Sequence, residues 1–184
     1  MVPNKSGNVS CRVEDGFAIT PAGIPYRELT TSHIVTLPLA APEVATEPRP
    51  SSEWRMHAAI YRARPDVCAI VHTHSPRATA LAAAGRGIPP FHYMIALVGG
   101  DVRCTPYATF GTAELAESAV RGLQGRRACL LGNHGVMATG STLARAHAVA
   151  VEVENLADEY LSMLSAGLVP QLLEGASRTA SDGH

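Results

Sequence analysis

The chain has 184 residues, of which 46% are hydrophobic and 17% charged, and its formal net charge is −1. This length and composition indicate one ordinary globular domain with a substantial core. The charge provides no basic surface for nucleic acid, and no apolar run approaches the roughly 20 residues of a membrane helix. We therefore expect a protein that acts on small molecules, without a nucleic-acid or membrane partner.

The first residues and the cysteines bear on the cellular compartment. Residues 1–7 lack the basic and apolar regions of a signal peptide, which argues against export. The cysteines show no Cys-x-x-Cys spacing, and two of them fall inside apolar segments that predict strands. We expect reduced core thiols in a cytoplasmic protein rather than disulfides or a zinc site. The four residues are Cys11, Cys68, Cys104 and Cys129.

The N-terminal third predicts antiparallel strands. Residues 9–13 and 17–20 are short runs with β-branched residues, and the Asp15-Gly16 pair between them favours a tight hairpin. A Pro- and Gly-rich loop follows at 21–25, and residues 34–37 can form a third strand. These elements favour a sheet that is antiparallel or mixed.

From residue 51 onward, helices alternate with strands, which predicts a single α/β domain. Two serines, Ser51 and Ser52, are expected to cap the first helix. The tail, residues 175–184, is predicted to be disordered. The predicted elements are helices over 51–65, 75–85, 111–123 and about 141–165, and strands over 67–72 and 128–131.

Three histidines at strand ends predict a metal site. His72 and His74 follow one apolar run, and His134 lies between glycines after another. Because alternate side chains of a strand share a face, His72 and His74 can reach the same point. Three imidazoles leave a divalent metal with an open position for chemistry. The alternative is a chance grouping among eight histidines; the remaining five are predicted to be surface or structural residues, namely His33, His57, His92, His147 and His184.

Several polar residues near helix starts and loops have an ordinary and a functional interpretation. On the residues alone, Glu53 is best explained as a first-turn acid that interacts with the helix dipole. The Ser51-Ser52 pair at the same helix start also favours an anion such as phosphate. Asn8 and Gly23 lie in loops that let backbone approach a ligand, although ordinary turns explain each of them.

The motifs together resemble a known family. The resemblance to the class II aldolase/adducin family extends over residues 7–167 and implies one domain over 1–184, with three α/β/α layers around a mainly antiparallel sheet. It implies a homotetramer with active sites between subunits, and the family's usual N-terminal helix is expected to be missing. The motifs are Gly7-Asn8-Val9-Ser10, Ile19-Thr20-Pro21-Ala22-Gly23, Ser51-Ser52-Glu53, His72-Thr73-His74, Tyr107-Ala108-Thr109-Phe110-Gly111-Thr112 and Asn133-His134-Gly135.

The resemblance also implies roles for individual residues. Glu53 matches an acid that completes the metal coordination at rest and moves away to act as acid and base. Tyr93 matches a tyrosine that is contributed to the neighbouring subunit's site. The implied ligands of one Zn²⁺ per subunit, with Mn²⁺ or Co²⁺ as alternatives, are His72, His74 and His134. The implied phosphate-binding residues are Asn8, Gly23, Ser51 and Ser52.

The implied reaction is reversible cleavage of a ketose 1-phosphate, of the L-fuculose 1-phosphate type, to dihydroxyacetone phosphate and a small aldehyde such as L-lactaldehyde. Sister reactions on the same fold are 4-epimerisation of ribulose 5-phosphate, dehydration of methylthioribulose 1-phosphate, and decarboxylation. Epimerases of the family carry aspartate at the position of Glu53, which favours the aldolase. A non-catalytic adducin-like module would lack the three histidines, so it is the weakest alternative.

Overall fold

The computed structural model of the protein describes residues 6–40 and 47–174. The tail predicted to be disordered, residues 175–184, lies outside the described residues. None of the described helices is long and apolar enough to cross a membrane. The described strands are β1 (Asn8–Val13), β2 (Gly16–Ile19), β3 (Val35–Pro38), β4 (Ala69–Thr73), β5 (Arg103–Thr105), β6 (Ala128–Leu131) and β7 (Gly135–Gly140). The described α-helices are α1 (Trp54–Ala63), α2 (Pro76–Ala83), α3 (Ala113–Gly122) and α4 (Leu143–Ser165).

The strands form one sheet in the order β3-β2-β1-β4-β7-β6-β5. Within the described part of the chain, neighbouring strands pair antiparallel except for β5 and β6, which are parallel. The predicted Asp-Gly hairpin joins β1 to β2, with Val13 opposite Gly16. The prediction of a mainly antiparallel central sheet is therefore confirmed.

Helices cover both faces of this sheet. One core holds residues of α1 and α3, and the other holds residues of α2 and α4. Ile70 and Val71, neighbours on β4, belong to different cores because strand side chains alternate between faces. The predicted three-layer α/β/α architecture is confirmed. His72, two residues after Ile70, consequently faces the α1 side.

Some local predictions are wrong. Strands β5 and β7 were not predicted, because β5 has only three residues and β7 begins and ends with glycine, which weakens a strand pattern. Glu53 occupies the N-cap position of α1 instead of a serine. Ser51 Oγ accepts a hydrogen bond from the backbone N–H of Glu53 at 3.3 Å, so it supports the turn before the helix.

No disulfide joins the four cysteines in the described structure, and not all of them are core residues. All four are free in the described structure, and Cys129 is buried on β6. Burial raises the pKa of the Cys129 thiol to about 12, which makes it unreactive. Cys68 is exposed, so its predicted place in the core is wrong. Cys68 lies directly before β4, at the end of the sheet. The apolar pattern of this segment does not by itself reveal that the Cys68 side chain is exposed.

The N-terminus of α2 is capped by an acid from another helix. Ser75 is the N-cap residue, but its hydroxyl makes no capping hydrogen bond. The carboxylate of Glu154, on α4, instead accepts the backbone N–H groups of Arg77 and Ala78, both at 2.9 Å. Arg77 also pairs with Asp158 on α4 at 2.8 Å. These contacts fix α2, which directly follows His74, against α4.

Removing this capping carboxylate is expected to destabilise the protein. Glu154→Ala should lower the free energy of unfolding by about 1–3 kcal/mol, because two helix N–H groups lose a charged acceptor. Glu154→Gln should cost less, since its amide oxygen can still accept one bond. Urea unfolding measures the change, and Glu159→Ala, at an exposed acid of α4, is the matched control. Equal midpoints for Glu154→Ala and the control would refute a capping role.

Candidate metal centre and active site

Four side chains predicted to be functional converge at one end of the sheet. A nitrogen of each of His72, His74 and His134 and a carboxylate oxygen of Glu53 all lie within 4.8 Å of one another. His72 is on β4, His74 directly follows that strand, and His134 lies in the turn between β6 and β7. Glu53 enters from the start of α1. The fold therefore brings the three histidines together, as predicted, and adds the carboxylate of Glu53 to the group.

The sheet register explains this convergence. β7 lies between β4 and β6, so the turn that carries His134 reaches the same end of the sheet as the end of β4. Asn133 takes a positive φ of 55°, which turns the chain sharply before His134. A Cβ at Gly135 would collide with the carbonyl oxygen of Thr73 and approach the ring of His74 to 2.9 Å. Glycine is thus needed where β7 begins.

One hydrogen bond determines which nitrogen of His72 can bind a metal. His72 Nδ1 donates to the carbonyl oxygen of Val136 at 2.8 Å. In a neutral ring, Nε2 then carries the lone pair. His72 Nε2 lies 3.0 Å from His74 Nε2 and 3.2 Å from Glu53 Oε2. Each pair of the three rings has a centroid separation of 4.9 Å and an edge-on arrangement.

The electrostatics favour a neutral His74 ring beside an ionised Glu53. Burial, followed by the charges of His72 and His134, lowers the pKa of His74 to about 4, so its lone pair is available at neutral pH. Burial by itself would raise the pKa of Glu53. The close contacts of its oxygens with His134 Nε2 at 3.0 Å and His72 Nε2 at 3.2 Å outweigh this effect and hold the Glu53 pKa below its usual range.

This donor set fits a divalent metal. Glu53 Oε1 is buried and lies 3.0 Å from His134 Nε2, yet no described residue donates to it in hydrogen-bond geometry. His72 Nε2 and His74 Nε2 also face each other, although the Nε2 of His72 has no proton to share. A cation between these atoms would satisfy all of them. Three imidazoles with one carboxylate suit Zn²⁺ and other first-row ions.

A cavity of about 370 Å³ adjoins the cluster. Its lining combines the polar side chains of Glu53, His74 and His134 with the aromatic rings of Tyr107 and Phe110. Ser52, Ala108 and Asn133 complete its lining. A separate cavity of about 400 Å³ lies at the opposite end of the sheet and contains none of the four clustered residues, so the chemistry belongs to the first one.

The residues predicted to bind phosphate lie around this site in different ways. Ser52 is exposed and lines the cavity, whereas Ser51 is buried. Gly23 has a positive φ of 78° and open space where a Cβ would project. A bridge between Pro21 and Pro50 holds its loop beside the serines. The phosphate-binding role of these residues stays a prediction.

Asn8 lies deeper than a surface phosphate ligand. Its side chain is only 2% exposed, and its Nδ2 donates to Glu53 Oε2 at 2.8 Å. Its Oδ1 contacts Nε2 of His57, a completely buried residue that was predicted to be a surface or structural histidine. The missed signal was the spacing of Glu53, His57 and Tyr61, which are four residues apart and share one helix face.

The aromatic residues differ in position. Tyr93 is 72% exposed on a 3₁₀ helix and, among the described residues, is not part of the lining of this cavity. Its predicted role in a neighbouring subunit therefore stays a prediction. Tyr107 and Phe110 are also more than half exposed, although they line the cavity. Both residues belong to the motif Tyr107–Thr112 of the family resemblance, which implied no individual role for them.

Comparison with known proteins agrees with this geometry. The chain matches the family model described as the class II aldolase and adducin N-terminal domain over residues 1–161. A 5-methylthioribulose-1-phosphate/5-deoxyribulose-1-phosphate aldolase of Rhodospirillum rubrum is 51% identical over 156 residues, which cover 84% of this chain and 70% of that protein. An L-fuculose phosphate aldolase of Escherichia coli K12 is 48% identical over 161 residues, which cover 87% and 74%.

The fold is shared with solved structures as well. An L-fuculose 1-phosphate aldolase superposes on the chain with a TM-score of 0.89 at 41% sequence identity. The superposition covers 94% of this chain and 82% of the other. The likeness therefore includes the sheet and helices that carry the four clustered residues.

Proposed function

The chain belongs to the class II aldolase and adducin family, and from that premise we propose that it is a zinc-dependent aldolase of ketose 1-phosphates. The family and its aldolase relatives make the protein a carbon–carbon lyase of the metal-dependent class. The proposed products are dihydroxyacetone phosphate and a small aldehyde. The observation that carries the proposal is the convergence of Glu53 with three imidazoles at the mouth of a cavity.

In this proposal, His72, His74 and His134 hold one divalent metal, and Glu53 completes the set at rest. A bound metal would supply a Lewis acid beside the substrate carbonyl and stabilise the electrons left by the broken bond. Zn²⁺ is the preferred ion because it favours nitrogen ligands in a closed four-donor set; Mn²⁺ and Co²⁺ are the alternatives. The bond from His72 Nδ1 to Val136 would keep its ligating nitrogen directed into the site.

Tyr93 and Glu53 would act in the remaining steps of the cleavage. The hydroxyl on the carbon that becomes the aldehyde must lose its proton as the carbon–carbon bond breaks. Tyr93 of a neighbouring subunit would hydrogen-bond that oxygen while its proton passes to water in the cavity, which requires the proposed homotetramer with sites between subunits. The carbon that keeps the bonding electrons must then gain a proton, and Glu53 would take one up from the cavity and deliver it to that carbon. The exposure of Tyr93 supports a place at a subunit interface.

Phosphate binding would orient the substrate for these steps. Ser51 and Ser52 precede α1, where unpaired backbone N–H groups attract an anion, and Gly23 leaves room beside them. Asn8 is the fourth proposed residue of this group. Binding energy from a phosphate remote from the reacting bond would align the reacting carbons with Glu53.

The relatives narrow the substrate class that we propose. The substrates for which these relatives are named, L-fuculose phosphate, 5-deoxyribulose 1-phosphate and 5-methylthioribulose 1-phosphate, all lack a hydroxyl on their terminal carbon. The aromatic side chains in the cavity lining, Tyr107 and Phe110, support an apolar group at that position of the substrate. The released aldehyde would be L-lactaldehyde from fuculose phosphate. The other two substrates would release an aldehyde with a methyl or a methylthio group instead.

We also propose that the protein is a single domain and that it is cytoplasmic.

A coupled assay for dihydroxyacetone phosphate tests this proposal. The panel contains L-fuculose 1-phosphate, 5-deoxyribulose 1-phosphate and 5-methylthioribulose 1-phosphate, with ribulose 1-phosphate as the hydroxylated control. We expect release from at least one deoxy substrate, loss after chelation and recovery with Zn²⁺. Dihydroxyacetone phosphate from none of them would refute the aldolase. Parallel assays for ribulose 5-phosphate epimerisation, methylthioribulose 1-phosphate dehydration and decarboxylation would then identify a sister reaction.

A further inference from the structure

A chain of buried polar side chains leads from the interior to Glu53. Tyr61 Oη lies 2.8 Å from Ser10 Oγ, which lies 2.7 Å from His57 Nδ1. On the other side of the ring, His57 Nε2 lies 2.5 Å from Asn8 Oδ1. The Asn8 amide then donates from Nδ2 to Glu53 Oε2 at 2.8 Å. Every side chain between Tyr61 and Glu53 is nearly inaccessible to solvent.

The fold places these residues opposite one another. Asn8 and Ser10 are alternate residues of β1, so they share a face of the sheet. Asn8 pairs with His72 and Ser10 with Ile70, which belongs to the core on the α1 side. Helix α1 presents His57 and Tyr61 to that face, four residues apart. A helix and a strand therefore supply alternate members of one hydrogen-bonded chain.

Only one arrangement of protons satisfies all these bonds. Ionised Glu53 can only accept, so the nitrogen of the Asn8 amide must face it and the amide oxygen must face His57. That oxygen also only accepts, so His57 carries its proton on Nε2. The bare Nδ1 then accepts from Ser10, whose hydroxyl accepts in turn from Tyr61. All donors consequently point toward Glu53.

From this geometry we propose that His57 is a positioning residue that holds the Asn8 amide in the orientation that fixes the carboxylate of Glu53. With the amide reversed, its oxygen would face the carboxylate, and both groups would lack a donor. His57 opposes the reversal, because a reversed amide would also require the ring proton to move to Nδ1 and the Ser10 hydroxyl to turn away from it. Burial lowers the pKa of His57 to about 3, so the ring stays neutral at working pH.

This series of hydrogen-bonded side chains cannot act as a proton relay. An amide neither gains nor loses a proton near neutral pH, so Asn8 interrupts any transfer between His57 and Glu53. The proton of Glu53 must therefore exchange on the cavity side, where the substrate enters. The interior residues set the direction of the carboxylate, which sits between His72 and His134.

Kinetics of two His57 variants test the positioning role, and this part rests on the proposed function of Glu53. His57→Leu should lower kcat by about 10–100-fold, as is typical for partners behind a metal ligand, with KM for the sugar phosphate little changed. His57→Gln can still donate to Asn8 and should recover most of the lost kcat. An unchanged kcat in His57→Leu, or equal losses in both variants, would overturn the proposal.

A double variant separates positioning from general damage to the fold. In the Glu53→Gln background, adding His57→Leu should lower kcat no further, because no carboxylate is left to position. A further 10-fold loss would indicate a merely structural role. Thr139→Val is the matched control, since it removes a buried hydroxyl that donates to Arg127 at the sheet's other end. It should lower the unfolding midpoint and leave kcat unchanged.

A measurement that needs no catalytic turnover tests the proton positions in the hydrogen-bonded series from Tyr61 to Glu53. In protein labelled with ¹⁵N-histidine, the signals absent from His57→Gln identify the ring of His57. We expect a protonated Nε2 and a bare Nδ1 in the metal-free and Zn²⁺-loaded protein. A proton on Nδ1 would overturn the proposal whether or not the protein is an aldolase. Failure of the wild type to cleave any ketose 1-phosphate would refute only the proposed function.

Discussion

His72→Ala is expected to abolish stoichiometric metal binding and to lower kcat/KM for ketose 1-phosphate cleavage by at least about 10³-fold. The ring supplies one of three imidazoles, and its Nδ1 bond to Val136 aligns the ligating nitrogen. Without it, the electrons of the broken bond lose their stabilisation and the remaining donors hold the ion weakly. Metal analysis after gel filtration and steady-state kinetics measure the two effects.

Two further variants make this result interpretable. His72 is buried, so its loss can also affect folding. His134→Ala removes a ring that is partly exposed and should give the same losses with less disturbance of the core. His147→Ala, at an exposed histidine of α4, should retain metal and activity. A folded His134→Ala protein with full metal content and wild-type kcat/KM would refute the proposed metal centre.

Glu53→Gln is expected to lower kcat by about 10²–10⁴-fold while the protein still binds metal. Glutamine has nearly the same shape and can accept from Asn8, but it cannot exchange the proton that the substrate carbon must gain. The three imidazoles remain, so metal affinity should fall far less than in His72→Ala. Single-turnover kinetics and chelator competition distinguish these effects.

The matched control for this substitution is Glu114→Gln. Glu114 is an exposed acid in the first turn of α3 and belongs neither to the metal cluster nor to the cavity lining, so its replacement should leave kcat unchanged. If Glu53→Gln loses its metal as completely as His72→Ala, the glutamate acts mainly as a ligand. If it keeps wild-type kcat, its proposed role in proton transfer is wrong.

Local patterns were sufficient for much of the site. The pair His72 and His74 could be assigned from strand periodicity, because alternation along four or five residues decides which side chains share a face. His134 was recognisable from its glycine neighbours after a buried strand. Helices α3 and α4 followed from apolar residues three and four apart, and the structure adds Thr112 and Thr142 as their caps. These signals arise within one element, so no tertiary contact is needed to detect them.

The sequence by itself therefore determined the alternating elements, the three histidines and the family resemblance. Tertiary structure alone decided that Asn8 faces Glu53, that His57 stands behind it, and that Glu154 caps α2. Each of these contacts joins residues 45 or more positions apart. Such contacts depend on strand register and helix placement, which are set by burial of the whole core. No short window of sequence contains that information.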